Sequence, residues 1–149
     1  MAIEAPPQAQ YFSLRTPLLS EGRTTTLVAQ ADLMTVMIKV YAEGGENALH
    51  AHTHEDHCFI VLDGEATFYD EHDTPTVVHK YEGILLPRGA YYYFQNSGQG
   101  NLVLARAGAR AGDSDAHSRI NLEGGPLPAD SAANKKVVGV PIPGRFFGD

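Results

Sequence analysis

The most concentrated chemistry in this sequence is a group of histidines. Of its seven histidines, four fall at positions 50, 52, 54 and 57. His50 and His52 are two residues apart, so on a β-strand their side chains point to the same face. A turn over residues 53–56 would bring His57 opposite that pair, so that three imidazoles converge. Neutral imidazole is the commonest protein ligand for zinc, copper, iron and nickel, and it suits manganese less well. We therefore expect His50, His52 and His57 to hold one divalent metal ion.

The same region allows other interpretations. A polar, solvated turn in an acidic protein would need no metal. His54 is in phase with His50 and His52, but it falls within the turn, where a solvated side chain is expected. Glu55 or Asp56 could instead turn inwards and complete a site of two histidines and one carboxylate, the ligand pattern of non-haem iron oxygenases. The sequence leaves open which of these residues completes the ligand set.

The segments around the histidines have the pattern of β-strands. Short apolar segments rich in Thr, Val, Ile and Leu alternate with turn residues, which is typical of an antiparallel sandwich or barrel. The apolar period is two rather than 3.6, so no helix is expected there. Strands are predicted over residues 24–30, 33–41, 57–62, 65–69, 76–80, 84–86, 91–95 and 101–105. Gly44-Gly45 is predicted as a turn, and Asp63-Gly64 as a two-residue hairpin turn.

The strand that begins at His57 is apolar on both faces. One face carries Phe59 and Val61, and the other carries Cys58, Ile60 and Leu62. A strand buried on both sides needs a layer over its outer face, which a second sheet, the C-terminal tail or a partner subunit could supply. We therefore predict a homodimer. Phe59 and Val61, in phase with His57, are expected to line the substrate pocket.

Composition divides the chain into three parts. Residues 1–23 are predicted as an N-terminal arm, residues 24–107 as a β-barrel, and residues 108–149 as a C-terminal tail. The tail is rich in glycine and proline, and residues 112–133 are expected to be extended loop. Its apolar segments at 137–140 and 145–147 are expected to pack on the barrel or on a partner subunit.

The composition also excludes several partners. The formal net charge is −7 and the basic residues are scattered, so the basic face that nucleic-acid binding requires is missing. Arg106 and Arg110 are expected to be solvated charges beside a loop. The longest apolar run, residues 58–62, is far short of the ~20 residues of a membrane helix. The first residues do not resemble a signal peptide, and Cys58 is the single cysteine, so we expect a soluble, cytoplasmic protein. Its expected partner is a small-molecule substrate.

Two segments resemble the conserved motifs of the cupin superfamily. The first runs from Gly44 through His50-Ala51-His52 and His57 to Gly64, and the second from Pro87-Arg88-Gly89 through Tyr92 to Asn96. The resemblance extends from Thr35 to about Ala107. It implies an all-β fold, a double-stranded β-helix barrel that is often dimeric, with a metal ion inside.

This sequence departs from the family pattern at two ligand positions. The position of His57 is normally a glutamate, and that of Tyr92 is normally the last metal-ligating histidine. Three neutral histidines leave the charge of a metal uncompensated, which favours an anionic ligand or a bound water of depressed pKa. Tyr92 could ligate as a phenolate, donate a hydrogen bond to a metal-bound ligand, or line the pocket. We take it as the candidate catalytic residue.

The other polar candidates are weaker. His79 falls in a predicted strand and could line the substrate pocket. Arg88 lies in the turn before Tyr92, where it could meet an anionic substrate at the barrel mouth. His72 and His117 are expected to be solvated.

Three functions are compatible with these features. The favoured one is a metal-dependent enzyme that uses dioxygen to cleave a small anionic or enolisable substrate. The second is a redox-neutral isomerase, cyclase or lyase in which the metal acts as a Lewis acid. The third is a metal-containing binding module without turnover. Iron would favour the first and zinc the second.

Overall fold

The polypeptide folds almost entirely into β-strands. The computed structural model describes residues 3–43 and 47–149. Its strands are β1 (Thr16–Glu21), β2 (Arg23–Gln30), β3 (Met34–Tyr41), β4 (Ala51–His52), β5 (Glu55–Asp63), β6 (Glu65–Tyr69), β7 (Pro75–His79), β8 (Gly83–Leu86), β9 (Tyr93–Asn96), β10 (Leu102–Arg110), β11 (Arg119–Ile120) and β12 (Val140–Phe147). One short 3-10 helix spans Ala132–Asn134. The predicted all-β fold is confirmed. Among the described residues, none of the helices has the length and apolarity needed to span a membrane.

Two antiparallel sheets supply the apolar interior. The larger has the strand order β2-β3-β10-β5-β8, and the smaller has the order β7-β6-β9. Side chains from both sheets pack together, since the ring centroid of Phe94 lies 4.9 Å from those of Phe68 and Tyr41. Burying a Leu or Phe side chain contributes about 1.5–3 kcal/mol. This shared core therefore holds the two sheets against each other.

The predicted hairpin at Asp63-Gly64 is wrong, because β5 and β6 belong to different sheets. β5 pairs with β10 and β8, whereas β6 pairs with β7 and β9. Gly64 has a φ of 81°, and a Cβ atom at this position would lie 2.7 Å from the carbonyl oxygen of Asn101. The glycine lets the chain turn from one sheet into the other where another backbone segment approaches closely. The predicted turn at Gly44-Gly45 lies outside the described residues.

The N-terminal and C-terminal segments pair with each other. β1 pairs antiparallel with β12, and β4 pairs with β11. A second apolar cluster forms around Leu19, Ile38 and Val103, and the side chains of Leu62 and Phe147 pack against it. Part of the predicted N-terminal arm and part of the predicted tail are therefore strands that cover one outer face of the larger sheet. Within the larger sheet, β10 runs beyond residue 107 to Arg110.

Candidate metal centre

Three of the clustered histidines pack against one another in the interior. The ring centroids of His50 and His52 are 5.0 Å apart, and those of His52 and His57 are 4.1 Å apart. His50 precedes β4, His52 belongs to β4, and His57 lies on the face of β5 that also carries Phe59 and Val61. His50 and His57 are only 2% and 1% exposed. The fold thus brings together the three histidines that the sequence pattern selects.

Hydrogen-bond partners assign the proton on two of these rings. His50 Nδ1 lies 2.6 Å from the carbonyl oxygen of Ala48, which only accepts, so Nδ1 donates and Nε2 keeps its lone pair. His57 Nε2 lies 2.8 Å from Glu55 Oε2, and this contact lowers the pKa of Glu55. The glutamate is therefore ionised and accepts. Nδ1 of His57 is then a bare acceptor, buried and without a hydrogen-bond partner in the described part of the chain.

Burial keeps all three imidazoles neutral. Desolvation lowers the pKa of His50 to about 3 and also lowers the pKa of His52. It lowers the pKa of His57 as well, although the hydrogen bond to Glu55 opposes this shift. A charged imidazolium would be costly in this low-dielectric interior. Each ring is therefore in the protonation state that ligates a metal ion.

The donor chemistry of these rings fits a divalent metal ion. An unpartnered buried nitrogen on His57 and the lone pair of His50 Nε2 are suitable ligand atoms, and metal-ligating histidines commonly donate their other ring nitrogen to a carbonyl or carboxylate. Over residues 3–43 and 47–149, however, no group of three His, Cys, Asp or Glu side chains has the geometry of a metal site. Ligation by all three rings requires them to turn until their lone pairs converge at about 2.0–2.1 Å from the ion.

The alternative ligands have other partners. His54 Nδ1 lies 2.7 Å from Thr53 Oγ1. Asp56 accepts a hydrogen bond from the backbone N–H of Arg88, and its side chain is half exposed. Glu55 accepts a hydrogen bond from Nε2 of His57 and leaves Nδ1, the bare acceptor of the same ring, free. This contact fixes the orientation of His57.

Tyr92 adjoins the histidines from a neighbouring segment. Its backbone exchanges two hydrogen bonds with His50, of 2.9 Å and 3.0 Å. Its hydroxyl lies 3.3 Å from Nε2 of His52. Burial raises the pKa of Tyr92, so the hydroxyl stays protonated. Whether it donates to Nε2 of His52 or accepts from it is set by the tautomer of that ring.

A cavity of about 370 Å³ lies beside these residues, with His50, His52 and Tyr92 in its wall. This volume is near the lower end of the ~300–1,000 Å³ typical of small-molecule pockets. The cationic part of the wall, hereafter the cationic wall, consists of Arg23, Lys39, Arg106, Arg119 and Lys136. Among the lining residues that the structure describes, Asp130 is the single acidic one, and its side chain is 91% exposed. A cavity of this charge attracts anionic ligands.

The architecture around this cavity occurs in known proteins. Residues 37–105 match the family model of the cupin domain. These residues form a cupin domain. An uncharacterised conserved protein with a double-stranded β-helix domain from Klebsiella pneumoniae is 18% identical, with 76% of this chain and 95% of that chain covered and a TM-score of 0.64. A cupin superfamily protein from Desulfitobacterium hafniense is 16% identical, with 59% and 77% covered and a TM-score of 0.52.

A eukaryotic structure is also similar to this cupin. The cupin domain of Cnp3 from Schizosaccharomyces pombe is 19% identical, with 62% of this chain and 67% of that chain covered and a TM-score of 0.56. These similarities confirm the predicted double-stranded β-helix. No curated protein is significantly similar to the chain in sequence.

The two apolar residues predicted to line the pocket of this cupin do not line the cavity. Phe59 and Val61 point inwards, as their parity predicted, but they are 1% and 0% exposed within the apolar core. The ring of Phe59 packs 5.9 Å from that of Tyr92, centroid to centroid. Phe59 and Val61 therefore pack behind the site as core residues. Other core side chains fill the space next to them, so no substrate can contact them.

The two polar residues predicted for the pocket lie on the surface of the barrel. The inward residue of β7 is Val78, so its neighbour His79 points outwards and lies 2.8 Å from Glu82. Arg88 is half exposed, and its Nε lies 3.8 Å from Asp56. Neither residue contributes to the cavity wall.

Sequence reasoning missed the cationic wall. Arg106, expected to be solvated, is 9% exposed, because it points inwards from β10 towards the cavity. Lys39 lies on the same face of β3 as Met37 and Tyr41, which also line the cavity. The sequence did contain a signal for Lys39. The alternation of the predicted strand places this lysine on the same face as Met37 and Tyr41, and a charged residue on an apolar face indicates a functional position.

Proposed function

We propose that this cupin is a metal-dependent enzyme acting on a small anionic organic substrate. The observation that carries the proposal is that three neutral histidines pack together, two of them (His50 and His57) fully buried and two of them (His50 and His52) in the wall of a cavity with a cationic wall. Nε2 of His50, Nε2 of His52 and Nδ1 of His57 would hold the ion. When bound, a divalent metal polarises a substrate oxygen as a Lewis acid. Neutral ligands do not offset its charge, so an anionic oxygen is favoured as the substrate group bound there.

The chain's own groups would position the substrate and move a proton. Glu55 and the Ala48 carbonyl keep two imidazoles in the tautomers described above. Tyr92 carries a protonated hydroxyl beside His52, so it is the group placed to donate a proton to a substrate oxygen. General acid catalysis of this kind typically contributes about 10²–10⁴-fold in rate. The buried walls around Tyr92 limit the access of water to that oxygen.

Within this class, we propose oxidative cleavage of an enolisable acid as the reaction. The support is an imidazole-only ligand set, which suits iron among other metals, next to a site for an anionic oxygen. The test is an assay of β-dicarbonyl, phenolic and unsaturated acids with and without oxygen. Turnover should require oxygen and accompany iron in the purified protein. Equal turnover under argon would rule out a dioxygenase.

The protonated hydroxyl of Tyr92 supports a second candidate function, that of a redox-neutral isomerase, cyclase or lyase. Its hydroxyl is held protonated 3.3 Å from His52, and proton transfer from such a group needs no oxidant. Zinc in the freshly purified protein, together with turnover that persists under argon, would select this candidate.

Metal content tests the ligand assignment directly. Each of the variants His50→Ala, His52→Ala and His57→Ala removes one donor and should lose most of the bound metal. The matched controls His72→Ala and His117→Ala change exposed histidines and should retain it. Elemental analysis after gel filtration measures the difference. Equal metal content in His52→Ala and the parent protein would exclude this site.

A further inference from the structure

The cationic wall is assembled from adjacent strands of the larger sheet. In the register of β3 and β10, Lys39 lies opposite Leu104 and Met37 lies opposite Arg106. Lys39 and Arg106 are therefore diagonal neighbours on the cavity side of the sheet, within reach of one ligand group. Arg119 from β11 and Lys136 beyond the 3-10 helix extend the wall from the C-terminal segment.

The hydrogen-bond donors at the centre of this wall are incompletely paired. Lys39 Nζ lies 3.4 Å from the Tyr41 hydroxyl and has no carboxylate partner among the described residues. Arg106 bonds to Thr35 through Nη2 at 3.3 Å, but its Nε is buried without a partner in the described chain. Nδ2 of Asn47, a cavity-lining residue that is 3% exposed, is another buried donor without a described partner.

Two neighbouring cationic side chains such as Lys39 and Arg106 are unfavourable together without a counter-charge. Burial, reinforced by Arg106 and Arg23, lowers the pKa of Lys39 well below its usual range. A buried charge or donor without a partner costs free energy that a paired one does not. An anionic ligand would supply a charged acceptor for Lys39 and the acceptors that Arg106 Nε and Asn47 Nδ2 lack among the described residues.

We propose that the cavity binds a small organic acid carrying two anionic groups, one beside His50, His52 and Tyr92 and the other at Lys39 and Arg106. The first half of this statement rests on the proposed function, and the second is an additional subsite. The cavity volume of about 370 Å³ restricts the ligand to a small molecule. A carboxylate and a phosphonate or phosphate share the chemistry that the second subsite recognises.

Matched acids test the subsite on the full chain with its metal as purified. Titration calorimetry at constant ionic strength would compare malonate, succinate and glutarate with propionate, butyrate and valerate, the monoacids of equal carbon number. A parallel titration with 3-phosphonopropionate distinguishes a carboxylate from a phosphonate as the second group. At least one diacid should bind about tenfold or more tightly than its matched monoacid. The proposal is wrong if none of the dianions shows this preference.

Charge-removing variants identify the residues responsible. Lys39→Met should reduce the diacid preference to about threefold or less, and should leave the Tm of the ligand-free protein equal or higher because it removes a desolvated amine that has no carboxylate partner among the described residues. Lys80→Met, which changes an exposed lysine, is the matched control and should keep the full preference. Arg106→Gln is the second variant should Lys39→Met fail to fold. A diacid preference that survives both substitutions overturns the assignment.

Metal analysis of the same samples separates this proposal from the proposed function. A parent protein that prefers diacids but binds no metal would contradict the metal-dependent function and leave the second subsite standing. A parent protein that binds metal through the three histidines but shows no diacid preference would contradict only the second subsite.

Discussion

At the scale of single residues, a glutamate two positions before His57 decides which ring nitrogen faces the interior. Glu55 accepts from Nε2, which leaves Nδ1 as a buried nitrogen with a free lone pair and no hydrogen-bond partner among the described residues. A motif comparison shows only that His57 replaces the usual glutamate. The contact with Glu55 explains how a histidine at this position could still ligate a metal ion. A carboxylate that accepts from one ring nitrogen fixes the tautomer and makes the other nitrogen more basic.

Glu55→Ala should therefore weaken metal binding without removing a ligand. We expect the dissociation constant to rise by about 10–100-fold, the usual effect of losing a group that orients a metal ligand. Competition with a chromogenic chelator measures it. The neighbouring variant Asp56→Ala, which changes a half-exposed carboxylate paired with Arg88, should have no effect. Unchanged affinity in Glu55→Ala would mean that this hydrogen bond does not orient a ligand.

Tyr92→Phe removes one hydroxyl and leaves the packed ring in place. If the hydroxyl transfers a proton, kcat should fall by about 10²–10⁴-fold while metal content stays at the parental level. The measurement is steady-state kinetics on whichever acid the oxygen assay identifies, with elemental analysis of the same sample. Full activity in this variant would exclude the hydroxyl from the mechanism.

At the scale of elements, the short 3-10 helix ties the C-terminal segment to the histidine segment. Asn134, at its end, is 1% exposed. Its Oδ1 accepts from the backbone N–H of Ala48 at 3.1 Å and from Arg119 Nη2 at 2.9 Å. Ala48 in turn accepts from His50 Nδ1. One amide side chain thus links the cationic wall to a candidate ligand.

Asn134→Ala should destabilise the protein by leaving these donors without their acceptor. Losing one partner of a buried hydrogen bond costs about 1–3 kcal/mol. We expect the free energy of unfolding, measured by urea titration, to fall by that amount. Lys135→Ala alters the exposed side chain next to Asn134 and should change this free energy by less than about 0.5 kcal/mol. Equal stability of the two variants would show that the Asn134 contacts do not hold the segment in place.

At the scale of the whole molecule, one outer face of the barrel keeps an apolar patch. Leu62 is covered by the second apolar cluster, but Ile60 on the same face of β5 is 45% exposed. Leu85 of β8, which pairs with Cys58, is 66% exposed beside it. β8 ends the strand order of its sheet, so this patch lies at an edge. These exposed side chains support the homodimer that the His57 strand predicts.

A homodimer through this patch should bury about 1,200 Å² or more, as stable protein pairs do. Light scattering at micromolar concentration should give the dimer mass for the parent. Leu85→Glu should give a monomer, because a carboxylate would be desolvated in the interface. Leu122→Glu, at an exposed leucine of the C-terminal segment, is the control and should remain dimeric. A monomeric parent would refute the prediction.

Local patterns were sufficient to predict most strands of the two main sheets and the meeting of His50, His52 and His57. The period of two decides which strand residues share a face, and it depends only on neighbouring residues. The same reasoning missed β1 and β12, which contain Pro17, Pro141 and Pro143. Proline argues against a strand unless the strand lies at an edge, where a missing N–H costs little, and only the assembled sheet shows which strands those are.

The sequence by itself determined the fold class and which three histidines come together, since both follow from alternation and close spacing along the chain. Only the tertiary structure decided that Asp63-Gly64 passes between sheets, that Phe59 and Val61 fill a core, and that Lys39 and Arg106 face a cavity. The physical reason is that burial is not a local property. Whether a charge on a strand meets solvent, apolar side chains or a ligand depends on what covers it, and here Arg119 and Lys136 come from a segment distant in sequence.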